Sequence, residues 1–169
     1  LDGGGIWISG QSTVAVVNSG TFIGFNATNK GPNVVLENGG GLWSADSSVY
    51  IGDGAAVAHN LALENGGGLF LSNSVCEVNG AYIGHPFVPG HTNEARSGAG
   101  VYATWSQLIL TNGAYVHGSR ASHYGGGIFT YRSSLHLDGS RVQYNRAQNN
   151  GGGLHLEGSS TITARYSSI

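Results

Sequence analysis

The acidic side chains are the first residues in this sequence that could carry chemistry. Hydrolysis of a glycosidic bond needs two carboxyl groups placed on either side of the bond, yet no two of the nine acidic residues are adjacent in the sequence. Glu37 and Glu64 each stand two residues before a run of three glycines, so a repeating fold would bring them together. Two such carboxylates could hold a hard cation, although solvated turn residues are the interpretation that we favour.

Histidine and cysteine side chains offer a second kind of chemistry. His59 and His85 occupy equivalent positions when the sequence is aligned on its glycine runs, in a column that Phe25 and Tyr144 continue. Two imidazoles in one column could ligate a metal, but a stack of rings with polar tips is the favoured interpretation. Cys76 falls at an inward aliphatic position, which is typical of a buried, unreactive thiol. We therefore predict no catalytic residue, no metal site and no cofactor.

The glycine runs are a third candidate, because a glycine-rich turn can cradle a phosphate. Such a turn opens a helix and is usually followed by a lysine and a serine or threonine. Here the runs lead into strand-like alternation, and the single lysine, Lys30, is far from the required position. A phosphate or dinucleotide site is therefore excluded.

The glycine runs instead mark a sequence repeat. "LENGGGL" occurs at 36–42 and again at 63–69, and "QNNGGGL" occurs at 148–154. Aligned on the first glycine, six copies begin at Gly3, Gly39, Gly66, Gly98, Gly125 and Gly151. The intervals are 36, 27, 32, 27 and 26 residues, which is a basic period of 26–27 with two expansions. A fixed period of this length predicts a repeat architecture in which each repeat packs on its neighbours.

Three columns of apolar residues recur within the repeat. The first follows the glycines and alternates with a period of two, as Leu69 and Leu71 do, which is typical of a strand with one buried face. The second comprises Val14 and Val16, Val49 and Ile51, Cys76 and Val78, Leu108 and Leu110, Leu135 and Leu137 and, more weakly, Ile162 and Ala164. The third comprises Ile23, Val57, Ile83, Val116 and Val142.

Three short strands per repeat and no helical periodicity predict an all-β fold. One set of three strands cannot bury its apolar face alone, but sets stacked at the strand spacing of about 4.8 Å form a continuous core. The sequence therefore predicts a parallel β-helix, or solenoid, of about six coils of 26–27 residues with three short strands per coil. We expect residues 1–169 to form a single β-helix segment of a longer chain, since the sequence begins in the middle of a motif.

The repeat motif resembles that of polymorphic outer-membrane proteins and related autotransporter passengers. That family carries G-G-A-[ILV] and F-x-x-N, and the matching stretches here are "IGFN" at 23–26, "VAHN" at 57–60 and "VQYN" at 142–145, each followed by Gly-Gly-Gly and an aliphatic residue. The resemblance covers essentially the whole chain and implies a right-handed parallel β-helix on a bacterial surface. The third repeat carries Pro86, and the fourth carries Ser119, where the asparagine belongs.

Three asparagines end the matching stretches. Asn26, Asn60 and Asn145 predict a structural turn ladder, in which each side chain bonds to backbone groups of a neighbouring coil. Asparagine suits this position because its short amide both donates and accepts hydrogen bonds.

Flat side chains form the one column that suggests binding. Between the two inward positions of the first strand lie Trp7, Trp43, Phe70, Tyr102, Phe129 and His155. Strand alternation points them outward, so every coil would present a ring in register. Such rings stabilise one another by about 0.5–1.5 kcal/mol per pair, whereas an exposed apolar stripe usually marks a contact surface. A structural stack, a protein or fibre contact and glycan binding all fit the pattern.

The two expansions of the period predict side loops near 29–37 and 85–97, which hold all three prolines of the chain. Both precede a glycine run, in the first and third repeats, so they would leave the same edge about 10 Å apart, two strand spacings. Loops on a rigid scaffold often carry specificity. Tolerated insertion is the alternative interpretation.

Composition narrows the function. Charged residues make up only 9% of the chain and the net charge is -2, so there is no basic footprint for nucleic acid, and no apolar run is long enough for a membrane span. We predict a non-catalytic, extracellular segment at a bacterial cell surface, acting as an adhesin, passenger stalk or self-assembling fibre subunit. Its expected partners are neighbouring subunits or the rest of the chain, and surface glycans. The alternative is a carbohydrate-binding or carbohydrate-active β-helix of the pectin-lyase type.

Overall fold

The structure is a computed structural model that describes residues 2–18, 20–24, 31–85 and 90–169, with side chains for all of these except residues 12 and 13. Within these ranges the chain forms strands and no helix, which confirms the prediction of an all-β fold. In chain order the strands are β1 (Ile6–Val17), β2 (Phe22–Gly24), β3 (Asn33–Val35), β4 (Leu42–Ile51), β5 (Ala56–Ala58), β6 (Asn60–Ala62), β7 (Leu69–Ser72), β8 (Val75–Asn79), β9 (Tyr82–Ile83), β10 (Glu94–Ser97), β11 (Val101–Thr104), β12 (Gln107–Thr111), β13 (Tyr115–His117), β14 (Arg120–Tyr124), β15 (Ile128–Tyr131), β16 (Ser134–Asp138), β17 (Arg141–Gln143), β18 (Arg146–Ala147), β19 (Leu154–Glu157) and β20 (Thr161–Arg165).

The strands pair in parallel and build three sheets. The large sheet has ten strands in the order β19-β15-β11-β7-β4-β8-β12-β16-β20, with β1 also paired to β4. The β2 sheet has the order β17-β13-β9-β5-β2, and the β3 sheet has the order β18-β14-β10-β6-β3. Paired residues are equivalent positions of consecutive repeats, as with Leu108 and Leu135 or Val116 and Val142. Most repeats therefore contribute strands to all three sheets.

The large sheet divides into two columns of short strands that meet at β4. The first half of β4 pairs with β7 and its second half pairs with β8. In later repeats the two halves are separate strands, and a residue with positive φ turns the chain between them: Asn73 (47°), Trp105 (52°) and Arg132 (49°). Such a backbone is uncommon outside glycine. The guanidinium of Arg132 lies 4.6 Å above the Trp105 ring, so this corner is also a cation–π contact.

The core contains most members of the three predicted apolar columns, whereas Ile162 and Ala164 of the second column are exposed. Leu42, Leu69, Val101 and Ile128 of the first column are completely buried. The second and third columns add Cys76, Val78, Leu108, Leu110, Val57, Ile83 and Val116, which are equally inaccessible. A second, smaller core of Val35, Ala62, Ala95, Ala99 and Ala121 lies under the β3 sheet. Apolar burial of this kind is the main stabilising term for stacked repeats.

The first repeat departs from the predicted second column. Val17 pairs with Ile51 and is buried, whereas Val14 and Val16, which were expected to point inward, are exposed. β1 contains two residues more than β4, at an irregularity after Ser9. The sequence alignment allowed for only one extra residue there, and an offset of one residue turns every side chain of a strand to the other face.

The glycine run meets two structural requirements. Its first residue has a positive φ, between 58° and 72°, in all six repeats, a region that glycine adopts without a steric penalty. The third glycine lies against the next repeat: a Cβ on Gly41 would lie 2.6 Å from the carbonyl oxygen of Gly68 and 2.8 Å from Nδ2 of Asn60. The run is therefore an architectural feature of the stacked repeats.

The extra residues of the first and third repeats lie earlier than the sequence analysis placed them. Between Gly24, which pairs with Ala58, and Asn33, which pairs with Asn60, stand eight residues where the second repeat has one. Residues 33–35 and 94–97 of the predicted loops are regular strands, β3 and β10. The extra segments are thus 25–32 and 85–92, and residues 25–30 and 86–89 lie outside the described part of the chain.

Candidate functional site: the aromatic stack, the asparagine ladder and the histidine corner

The six predicted ring residues form one continuous stack, here called the aromatic stack. Each ring lies opposite its equivalent in the paired strand of the next repeat. Ring centroids are 5.2 Å apart for Trp7 and Trp43, 6.3 Å for Trp43 and Phe70, 5.4 Å for Phe70 and Tyr102, 4.7 Å for Tyr102 and Phe129, and 5.1 Å for Phe129 and His155. The planes of neighbouring rings are within 8° of parallel. All six residues are therefore brought together.

The faces of the stacked rings cover one another, so the stack presents ring edges to its surroundings. Trp7 is 58% exposed because it has a ring on one side only, whereas Phe129 is 5% exposed between Tyr102 and His155. Burial, together with the nearby Glu157 carboxylate, raises the pKa of Tyr102 above its usual value. The suggestion that flat ring faces receive sugar rings does not fit this geometry, since the interior rings have no free face.

The asparagine ladder exists and includes Asn60 and Asn145, two of the three predicted members. Asn33 Nδ2 donates to Asn60 Oδ1 at 3.0 Å, and Asn60 Nδ2 donates to Asn93 Oδ1 at 3.1 Å. Asn145 Oδ1 accepts from the backbone N–H of Ser119 at 2.9 Å. Asn33 thus stands in the first repeat where the sequence suggested Asn26, which lies outside the described residues, and Asn93 replaces Pro86.

The insertions hid the correct ladder members from the sequence analysis. Each member except Asn93 stands six residues before a glycine run, and all are followed by one variable residue and then alanine or valine, as in "NVV", "NLA", "NEA" and "NRA". This signal is present in the sequence. The alignment instead followed the apolar residue three positions before the asparagine, which in the first and third repeats stands before the extra residues, whereas the ladder asparagine stands after them. In four of the six runs the third glycine makes room for the ladder, because a Cβ there would meet the asparagine amide.

A serine ladder was missed altogether. Its members, in chain order, are Ser47, Ser74, Ser106, Ser133 and Ser160. The backbone N–H of each of the first four donates to the hydroxyl of the next member, at 3.0–3.3 Å. The first four of these serines stand eight residues after the first glycine of a run. Serine is a common turn residue, so a serine column alone does not predict hydrogen bonds between repeats.

The asparagine ladder has a gap in the fourth repeat, where Ser119 replaces asparagine, and this gives a first testable prediction. Ser119 is completely buried and its hydroxyl has no hydrogen-bond partner among the described residues. In the flanking repeats the equivalent amide donates to a backbone carbonyl, as Asn93 Nδ2 does to Val57 O at 2.8 Å. We expect Ser119→Asn to raise the free energy of unfolding by about 1 kcal/mol, because it adds the missing hydrogen bonds. Urea denaturation checks this, and a lower midpoint would contradict it.

His59, His85 and His91 meet at the corner between the β2 and β3 sheets, and His117 lies close enough to His85 to interact with its charge. These four residues are here called the histidine corner. His59 stacks on His91, with centroids 5.7 Å apart, and His85 meets His91 edge-on at 6.0 Å. His85 also stacks on Phe22 and Tyr82. The sequence analysis placed His85 in the column of His59, and the ring that stacks on His59 is that of His91. The extra residues of the third repeat bring His91 alongside both His59 and His85.

The predicted column also has different neighbours. Tyr144 contacts His117, with ring centroids 5.2 Å apart, and Phe25 lies outside the described residues. His117 also meets Tyr115 edge-on at 5.1 Å. The histidine corner therefore spans the second, third and fourth repeats, and two of its members, His85 and His91, belong to the extra segment at 85–92.

The histidine corner predicts that acid destabilises the fold. Burial lowers the pKa of His85, His91 and His117, and neighbouring imidazoles lower it further for His91 and His117. Because these folded-state pKa values lie below the unfolded value of 6.5, stability is complete above pH 6.5 and falls as the pH drops below it. Urea midpoints between pH 7.5 and 5 measure this loss, and we expect His91→Gln to reduce it. A midpoint that rises with acid would be inconsistent with this corner.

The remaining chemical candidates are the paired acidic residues and Cys76. Glu64 forms an ion pair with Arg96, with Nη1 and Oε2 3.0 Å apart, and its backbone N–H donates to the carbonyl oxygen of Glu37 at 3.0 Å. Among the described residues no three histidine, cysteine, aspartate or glutamate side chains converge as metal ligands. Cys76 is completely buried, and burial together with Glu77 raises the pKa of its thiol to about 12.

Comparisons with known proteins add no relative. No protein-family model matches the sequence, and neither the curated proteins nor the solved structures yield a match. The resemblance to polymorphic outer-membrane proteins stays a sequence-based prediction. No helix in the described part of the chain is long and apolar enough to cross a membrane.

Proposed function

We propose that this chain is a right-handed parallel β-helix of six coils that serves as a rigid, non-catalytic segment of a bacterial surface protein. The proposal is supported by the pairing of equivalent residues through consecutive repeats in three sheets. Each coil would then contribute one strand spacing of about 4.8 Å to the length of a rod. A passenger stalk or fibre subunit needs this kind of extended, stiff element.

The aromatic stack is the observation that carries the proposal. The faces of its rings stack on one another, and each stacked pair stabilises the contact between consecutive repeats by about 0.5–1.5 kcal/mol. The asparagine and serine ladders act on the same contacts. Three independent side-chain columns thus support stacking of the repeats, which is the property that a spacer requires. The bacterial surface location rests on the sequence resemblance.

The proposal is tested by displaying the segment between an export signal and an outer-membrane anchor, with a fluorescent tag at its outer end. We expect the tag to stand at a fixed distance from the membrane and the segment to resist added protease. A glycine–serine linker of equal length is the control, and it should give a shorter, broader distance distribution. A protease-sensitive segment, or polysaccharide cleavage by the purified protein in product analysis, would refute the proposed role.

A further inference from the structure

The outer face of the β3 sheet carries an exposed apolar patch. Val34, Leu36 and Leu63 are each more than half exposed, and Leu61 is half-buried directly opposite Val34 in the paired strand. These four side chains, here called the leucine patch, lie on two adjacent strands and are contiguous. Large exposed apolar side chains that cluster in this way mark a contact surface.

The same face becomes cationic in the following repeats. In register with Leu61 stand Glu94, Arg120 and Arg146 on successive strands. Arg120 and Arg146 lie directly opposite each other, and neither forms an ion pair with a described residue. Like charges in directly opposed positions of a sheet destabilise it. The pair therefore carries a cost that an anion bound between the two guanidinium groups would offset.

A cleft connects the two halves of this face. Its volume is about 420 Å³, and its lining runs from Leu61 and Leu63 through Glu94 and Arg96 on the middle strand to Arg120 at the other end. Arg96 is already paired with Glu64. The cleft thus offers an apolar end and a cationic end within one depression.

We propose that this face binds an acidic peptide segment of a partner protein. Apolar side chains of the peptide pack on the leucine patch, and a carboxylate bridges Arg120 and Arg146. A peptide fits better than an acidic polysaccharide because it supplies aliphatic side chains for the leucine patch as well as the negative charge. This contact is separate from the stacking of the repeats, so it goes beyond the role of a spacer.

Strand spacing fixes the spacing of groups in the peptide. Leu61 lies two strands from Arg120 and three strands from Arg146, which corresponds to about 10–14 Å at 4.8 Å per strand. An extended peptide rises about 3.3 Å per residue, so its carboxylate stands about three or four residues from the apolar side chain. The binding motif therefore combines an aliphatic residue with an aspartate or glutamate at that separation.

The test is selection of a random peptide library on the purified protein, with counter-selection on the double variant Arg120→Ser, Arg146→Ser. We expect enriched peptides to carry an aliphatic residue and an acid at the stated separation. Fluorescence anisotropy of one enriched peptide, made synthetically, should show binding weakened by about tenfold or more in the double variant and in Leu63→Ser, the size expected for one lost charged or buried contact.

Matched variants on another sheet separate the site from general effects of charge and apolarity. Arg165→Ser and Val75→Ser alter exposed residues of the large sheet and should leave binding unchanged. The proposal is overturned if no acidic motif is enriched, if Leu63→Ser binds like the parent, or if leucine-free polyglutamate competes as well as the selected peptide. Self-association that Leu63→Ser abolishes would assign the face to a second copy of the chain instead.

Discussion

Alanine in place of Gly68 is expected to lower the free energy of unfolding by about 3 kcal/mol, because overpacking a rigid contact costs about this much. A Cβ at this position would lie 2.5 Å from the carbonyl oxygen of Gly100 and 2.8 Å from Nδ2 of Asn93. The first contact is with the backbone of the next repeat, and the second is with the buried asparagine ladder. Neither neighbour can move without disturbing the pairing of repeats. Urea denaturation followed by circular dichroism measures the change.

Gly31→Ala is the matched control for this substitution. Gly31 is exposed, and a Cβ there would lie within 4 Å of no atom in the described part of the chain. Its effect should stay within about 0.5 kcal/mol, as for most surface substitutions. If both variants lost the same stability, glycine content in general, and not close approach between repeats, would explain the glycine runs.

Loss of the Asn93 side chain should also cost about 3 kcal/mol, because it combines an orphaned buried donor with a small cavity. Asn93 Oδ1 accepts from both the backbone N–H and Nδ2 of Asn60, at 3.1 Å each. In Asn93→Ala the Asn60 N–H has no acceptor and is still buried. The urea midpoint of the variant measures this loss.

Asn149→Ala controls for the loss of an asparagine side chain in general. Because Asn149 is exposed, this substitution should change the free energy of unfolding very little. Asn93→Ser copies the natural state of the fourth repeat, so its cost should be intermediate. A ladder that contributed nothing would leave all three variants equal to the parent.

The inward residues of the fold were predictable because they repeat. Leu69, Cys76 and Ile83 lie where the period of 26–27 residues places an apolar side chain, and each is completely buried. A residue that must fit the same environment in every repeat is constrained to similar types. The sequence therefore predicts the parallel strands and the core with little further information.

The corner residues were harder to predict because two insertions interrupt the period there. Asn93 directly follows the extra residues and His91 lies near their end, whereas the alignment took His85 and Pro86, which lie at their beginning. Periodicity alone does not reveal on which side of an insertion the register resumes. Only the pairing of Glu94 with Leu61 decides it.

The candidate surfaces show a different limit. The aromatic stack was visible as a column, but the sequence did not reveal that stacking at the strand spacing closes the face of each interior ring, such as Phe70. The outer face of the β3 sheet, with Leu63 and Arg120, could not be predicted from the sequence. Its outward residues differ in type from repeat to repeat, so aligning the repeats shows no common pattern there. Their neighbourhood depends on three-dimensional pairing across repeats.

The distance between spin labels on one outward column tests most directly whether consecutive repeats stack in register. Ser48, Ser134 and Thr161 belong to this column, with Ser134 three strands and Thr161 four strands from Ser48. Cysteines introduced there can be labelled selectively, because Cys76 is buried and its thiol pKa is about 12. We expect separations near 14 Å for Ser48 with Ser134 and near 19 Å for Ser48 with Thr161, at about 4.8 Å per strand. Equal separations, or a broad distribution without this step, would contradict the stacked repeats on which the proposed rod depends.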